Sequence, residues 1–191
     1  MTETKPTKQE AQDAVRTLLR YIGEDTNREG MKETPERVIK SYEELFSGYE
    51  VDVAKLLNKR FYDISNFKDI VLLKNINFSS LCEHHMLPFT GFVDIAYLPN
   101  GFVVGISKIA RLVDVYAKRL QIQEKMTANI AEDLDRHLQP LGVAVRVSAS
   151  HSCMTARGTF KDGSLLESSY FTGVFKEKPE YRQEFLQMIR G

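Results

Sequence analysis

The hydrophobic period of this chain first changes near Ile70, and that change limits the fold more than any other feature. Before it, apolar residues recur at helical steps. Ala11, Val15, Leu18 and Ile22 are spaced by four, three and four, and Val38, Tyr42, Leu45 and Phe46 line a second stripe. Gly23 is expected to stop the first helix. Thr34 is expected as N-cap of the second, with Pro35 at its first helical position and Gly48 at its end. Between 51 and 69 a short helix over Val53 to Leu57 is the one expected element. From Ile70 the period becomes two. Residues 70–82 read as a strand, and Phe89 to Pro99 alternate up to the turn Pro99-Asn100-Gly101. Residues 102–106 read as a further short strand.

Ser107 is the expected N-cap of a third helix, with Ile109, Leu112, Val113, Tyr116 and Leu120 on one face. Met126, Ile130, Leu134 and Leu138 carry a fourth, stopped by Pro140 and Gly142. Residues 143–154 alternate as a strand, 169–175 read as a last strand, and 179–190 as a terminal helix. This order predicts an α+β fold, an antiparallel sheet with helices on one face and an N-terminal helical segment. The sheet's other face would need a partner, which points to an oligomer.

At 191 residues and 42% hydrophobic, the chain is long enough for one domain with a sizeable core. Lys+Arg and Asp+Glu both number 26, and a zero net charge argues against holding nucleic acid by bulk positive charge. No apolar run is long enough to span a membrane. The polar start MTETKPTKQEAQ has no apolar stretch of the secretory kind, so a cytoplasmic setting with reduced thiols is expected. The glycine-loop phosphate motifs are absent.

Both cysteines sit beside histidines. One cluster is Cys82-Glu83-His84-His85, the other His151-Ser152-Cys153, so three of the four histidines lie within three residues of a cysteine. Zn²⁺ takes thiolate and imidazole ligands, and a catalytic site keeps three protein ligands with one position open. The C-x-x-H spacing lets Cys82 and His85 converge from one turn, with Cys153 arriving from a neighbouring strand. His84 and His151 then stand beside the metal as candidates for proton transfer. Two buried free cysteines with histidines near by chance, or a Cys–His nucleophile dyad, remain alternatives. So does a non-enzymatic, zinc-stabilised assembly module. The H-x-E…P-C-x-x-C signature of zinc deaminases is absent. His137 reads as a solvated residue near a helix C-terminus.

The neutral total conceals cationic stretches. Ser107-Lys108 at a helix start combines backbone N–H groups, a hydroxyl and an ammonium, and Arg111 follows one turn later, an arrangement suited to phosphate. Arg146, Arg157 and Lys161 form a second stretch. Lys118 and Arg119 read as a solvated helix face. Gln123-Glu124 interrupts two helical patterns. Its carboxylate serves either the helix dipole or the adjacent N1–H and N2–H₂ donors of guanine.

At these residues the chain resembles the GTP cyclohydrolase I family, the zinc enzymes that begin folate and tetrahydrobiopterin synthesis. LCEHHMLPFTGFVDIAYLPN, VVGISKIARLVDVYAKRLQIQEKMT, LQPLGVAVRVSASHSCMTARG and TGVF carry the resemblance, and GEDTNREGMKETPERVIKSYEELFSGY resembles the family's helical segment. The resemblance implies the tunnelling fold and a single domain over 1–191, with a helical segment over 1–50 and a catalytic core over 70–191. It implies a homodecamer of two stacked pentamers with active sites between subunits. It implies conversion of GTP to 7,8-dihydroneopterin triphosphate with release of formate. Carried over by residue, Cys82, His85 and Cys153 would hold zinc, and His84 and His151 would be the acid/base pair. Gln123 and Glu124 would hold the guanine. Ser107, Lys108, Arg111 and Arg157 would bind ribose and triphosphate, with Arg37 and Lys40 as a further triphosphate pair. One stretch departs from the pattern: where the family has a Thr-x-Thr-Ser run, this chain has Leu165-Leu166-Glu167-Ser168-Ser169.

Overall fold

The computed structural model describes residues 4–190 and divides into two compact units, Met1–Ser47 and Gly48–Gly191. In the first, helix α1 (Lys8–Tyr21) starts at a capping box. The Thr7 N–H donates to the Glu10 carboxylate at 2.7 Å, and the Glu10 N–H donates back to the Thr7 hydroxyl at 3.2 Å. The Thr7 N–H, and after it the Thr7 hydroxyl donating to the same carboxylate at 2.7 Å, hold the Glu10 carboxyl below its ordinary range. Gly23 follows the helix at φ +88°, a backbone shape glycine takes without a steric penalty. Helix α2 (Thr34–Leu45) is capped by Glu33, so Thr34 is its first residue and not its N-cap. Lys8 of α1 pairs with Glu43 of α2.

The second unit begins with α3 (Val53–Leu56) and the two-residue β1 (Arg60–Phe61). The long strands β2 (Val71–Cys82) and β3 (Pro88–Leu98) follow, then β4 (Val103–Val104), which pairs with β1 outside the main sheet. Helix α4 (Ile106–Ala117), β5 (Leu120–Gln121) and helix α5 (Gln123–Leu138) lead into β6 (Gly142–His151). Short α6 (Ser152–Thr155), β7 (Leu166–Phe171), α7 (Gly173–Glu177) and α8 (Pro179–Arg190) complete it. The main sheet has the order β5-β2-β3-β6-β7, antiparallel except for the short β2–β5 pair. The architecture is α+β, a five-stranded sheet with helices, consistent with the tunnelling fold.

Alternation decides the packing. Val93, Ile95 and Tyr97 of β3 and Val143, Val145, Val147 and Ala149 of β6 face one side. There they meet Ile109, Leu112, Val113 and Tyr116 of α4 and Met126, Ile130, Leu134 and Leu138 of α5. Each large side chain so enclosed contributes about 1.5–3 kcal/mol. The Tyr116 hydroxyl donates to Asp133 of α5 beneath this layer, and burial holds the phenol well above its usual range. In β2 the alternation slips between Leu73 and Ile76, where Asn75 sits at φ +59° and donates its N–H to Asp94 at 2.9 Å. On the opposite side, Ile70, Ala96, Leu98 and Ala144 pack with Phe175 of α7 and Phe185 of α8. Farther along that face Arg146 bridges Asp94 at 2.9 Å and Glu167 at 2.7 Å.

Five further expectations are corrected. Gly105, not Ser107, caps α4, because the helix begins at Ile106. Leu120 leaves the helix face and pairs with Leu81. Arg119 is not solvated: its guanidinium donates to the carbonyls of Gly48 and Val115 and lies 4.8 Å from the centroid of the Tyr116 ring. The strand over 143–154 ends at His151, so Cys153 lies on α6. The strand over 169–175 starts earlier, at Leu166, and stops at Phe171, because Gly173 turns the chain into α7.

At Gly173 φ is +47°, and a β-carbon would lie 2.2 Å from the Leu141 carbonyl oxygen. Gly173→Ala is expected to destabilise the fold by about 2–4 kcal/mol through positive φ and overpacking, read as a lowered thermal midpoint. A second expectation concerns pH. Hydrogen bonding to Arg146 is the main reason the Glu167 carboxyl sits below its ordinary range. The bridge therefore stabilises above the unfolded carboxyl value, about 4.3, and this is lost as pH falls through the lower folded value. Glu167→Gln should make the thermal midpoint less sensitive to acid; an unchanged acid limb removes the bridge from the stability balance.

Candidate metal centre

The hairpin between β2 and β3 makes the first half of the site. The Cys82 N–H donates to the Leu87 carbonyl at 2.9 Å, and the Met86 N–H returns to the Cys82 carbonyl at 2.8 Å. Met86 takes φ +53°, which closes the turn. Residues Glu83 to Met86 are thereby folded over the end of β2, and the C-x-x-H spacing brings His85 back beside Cys82. β6 delivers the second half. It pairs with β3 without interruption, from Leu98–Gly142 to Phe89–His151. The chain then turns into α6, whose second residue is Cys153.

The donor atoms of Cys82, His85 and Cys153 lie within 4.8 Å of one another. Cys82 is buried, Cys153 half-buried and His85 exposed, so the cluster opens to solvent on the histidine side. Two thiols and one imidazole suit a soft divalent ion. Zinc bonds of about 2.0–2.3 Å place the ligands of one tetrahedron under about 4 Å apart, so the group is close to coordination size. Burial, then the neighbouring Cys82, pushes the Cys153 thiol up, while Arg157 favours its thiolate. A cation between the two sulfurs reverses the first two influences.

The remaining histidines of the two motifs border the cluster. His84 Nδ1 lies 3.8 Å from Cys82 Sγ. His151 stacks on Phe89, centroids 4.6 Å apart and planes 5° from parallel. Its Nε2 lies 2.8 Å from Oε1 of Gln123. Burial lowers the His151 pKa, and the charge of Glu124 acts in the opposite direction. Gln123 and Glu124 open α5 and have different surroundings. Glu124 is exposed, whereas Gln123 is 1% exposed with its amide bonded inside the chain. His137 lies at the other end of α5, where its carbonyl accepts from Arg60.

The cationic residues divide. Arg157 is exposed just after α6 and acts electrostatically on Cys153. Ser107, Lys108 and Arg111 occupy the first half of α4, whose far end leads into β5 beside Cys82. About 15 Å of helix separates Ser107 from that end. Arg37 and Lys40 belong to α2 in the first unit, and Arg37 pairs with Glu33 at 3.0 Å. Sequence reading missed Phe89, Thr127 and Ser168. The alternating pattern offered Phe89 only as core, and nothing in a single sequence relates Ser168 to Gln123.

The fold and these donors define an α+β protein with a thiolate–imidazole centre able to hold a metal ion. The model of the family GTP cyclohydrolase I matches residues 11–190. A "GTP cyclohydrolase 1" of Rickettsia felis is 58% identical over 185 residues, 97% of each chain. One of Rickettsia bellii is 58% identical over 188 residues, 98% of each. A crystal structure of "the archaeosine synthase QueF-Like in the apo form" aligns with 56% of this chain and 97% of its own, at TM-score 0.48 and 22% identity. The chain belongs to the GTP cyclohydrolase I family.

Cys153→Ala should lower the zinc retained per chain after loading and desalting to near zero, while leaving the fold intact, because α6 is short and has no buried residue. Full metal stoichiometry in that variant would remove Cys153 from the donor set.

Proposed function

We propose that this chain is a GTP cyclohydrolase that opens the imidazole ring of GTP at C8, releases formate and forms 7,8-dihydroneopterin triphosphate. The observation that carries this reading is the meeting of Cys82, His85 and Cys153 at one point, with His84, His151 and Glu124 around it. The metal is zinc, held by those three residues. When bound it supplies Lewis-acid polarisation and lowers the pKa of water at the site.

The chain's own groups do the rest. Glu124 accepts from N1–H and N2–H₂ of guanine, two parallel charge-assisted bonds that select this base. Gln123 borders it with an amide committed inside the chain. Lys108, Arg111 and Arg157 bind the triphosphate, together with the Ser107 hydroxyl and the first N–H groups of α4. Arg37 and Lys40 form a further pair for it. That binding energy positions C8 against the metal centre. His151 and His84 exchange protons with the purine ring nitrogens as the ring opens. Two hydrolytic cleavages consume two waters, and ring closure returns one, so one water enters for each formate that leaves. Sugar rearrangement requires further proton movement, a role we assign to the Ser107 hydroxyl.

The site we propose is completed between subunits, with Ser107, Lys108 and Arg111 among its residues. The assembly we propose is a homodecamer of two pentamers. The whole chain, 1–191, forms one GTP cyclohydrolase I domain, with a helical segment over 1–50 and a catalytic core over 70–191. Its two free cysteines fit a reducing, cytoplasmic setting.

Zinc-loaded protein incubated with GTP should release one formate per GTP and yield a fluorescent pterin after oxidation. A folded, zinc-loaded oligomer that releases no formate would falsify the reading. His84→Ala should keep its zinc and lose about 10²–10⁴-fold in kcat; full turnover in that variant removes His84 from proton transfer.

A further inference from the structure

We propose that Gln123 is a positioning residue that fixes which ring nitrogen of His151 carries the permanent hydrogen. The inference deepens the reading above and rests on His151 being a proton carrier there. It begins from the surroundings of the Gln123 amide, each of which removes one ambiguity.

Nε2 of Gln123 lies 3.1 Å from the Val147 carbonyl oxygen and 3.0 Å from that of Leu166. Both atoms are acceptors only, so the amide cannot be turned over: the NH₂ group must face β6 and β7, and Oε1 must face His151. A third acceptor, the Ser168 hydroxyl, lies 3.1 Å from Nε2. Its direction is also determined. The Thr127 hydroxyl donates to the Gln123 carbonyl at 2.8 Å, and Thr127 and Ser168 are 2.7 Å apart. Thr127 has one hydrogen and has used it, so Ser168 donates to Thr127 and keeps its lone pairs for Gln123. The two amide hydrogens are shared among these three acceptors, and through Ser168 and Thr127 the contacts lead from the Gln123 side chain back to its backbone.

Oε1 has no hydrogen to give. The 2.8 Å contact with His151 Nε2 is therefore an Nε2–H donating to Oε1. That places the permanent ring hydrogen on Nε2 and leaves Nδ1 as the nitrogen with the free lone pair. The stack on Phe89 holds the ring plane. A flipped ring would turn a carbon toward Oε1 and forfeit the bond. Ser168 lies within the stretch that departs from the family pattern, and it retains the one hydroxyl these contacts need.

The test uses the zinc-loaded assembly with ¹⁵N-labelled histidine, His151→Gln assigning the His151 signals by difference. Without GTP, His151 of the unmodified protein should show a hydrogen-bearing Nε2 and a bare Nδ1. A bare Nε2 beside a hydrogen-bearing Nδ1 would overturn the proposal, and this measurement needs no Gln123 variant to fold. Gln123→Met removes donor and acceptor at similar volume. It should shift the His151 signals away from that tautomer and lower kcat about 10–100-fold, with KM for GTP within about threefold. A raised KM with unchanged kcat would make Gln123 a purine-binding residue instead, and unchanged signals would dismiss the positioning role. If the unmodified protein releases no formate, the cyclohydrolase reading fails while the tautomer result stands separately.

Discussion

The meeting of the two halves of the candidate metal centre depends on the pairing of β3 with β6. Ten successive pairs, from Leu98–Gly142 to Phe89–His151, set these strands in one register. The inward side chains of that ladder make the core with α4 and α5. Its last pair delivers His151 onto Phe89 and, two residues on, Cys153 toward the hairpin that holds Cys82 and His85. A shift of one residue would turn the valines of β6 outward and carry His151 to the other face of the sheet. Core and site are thus consequences of one ladder. Gly91 belongs to the same constraint: a β-carbon there would lie 2.0 Å from the Ser148 carbonyl oxygen, so close approach of the two strands requires glycine.

The polar groups are divided by the same sheet. On the face covered by α4 and α5, Gln123, Thr127 and Ser168 are buried or half-buried and satisfy one another and two strand carbonyls, which keeps an enclosed amide from being left unpaired. On the other face Arg146 joins Asp94 and Glu167. Glu167 and Ser168 are adjacent in β7 and serve opposite faces because a strand alternates. The Leu165–Ser169 stretch therefore has two distinct uses, Ser168 joining the Gln123 side of the sheet and Glu167 bracing the other.

Much of this was legible from residue spacing. The change of period near Ile70, the strands ending at Cys82 and starting near Phe89, and the paired Cys–His motifs all follow from local rules, since alternation and C-x-x-H spacing act over a few residues. Element ends were less legible. Ser107 has the chemistry of an N-cap, yet Gly105 takes that position, because the short β4 ends at Val104 and Gly105 itself takes the extended backbone of a cap. Gly-Val-Phe after β7 reads as strand until the contact of Gly173 with Leu141 forces the turn into α7. Arg119 looked solvated because its acceptors lie on Gly48 and Val115, the first of them 71 residues away.

The sequence by itself determined the chemical inventory: two thiols and three imidazoles in two motifs, a carboxylate at a helix start and cationic residues suited to phosphate. These identities and short spacings also determined the class of fold. Tertiary structure alone decided which of them meet. Cys153 joins Cys82 and His85 because two strands pair in one register. It also decided that Gln123 turns inward and Glu124 outward, although they are neighbours. The physical reason is that contacts between residues far apart in the chain are selected by the packing of the whole core and by hydrogen-bond satisfaction within it, and neither is written in local spacing.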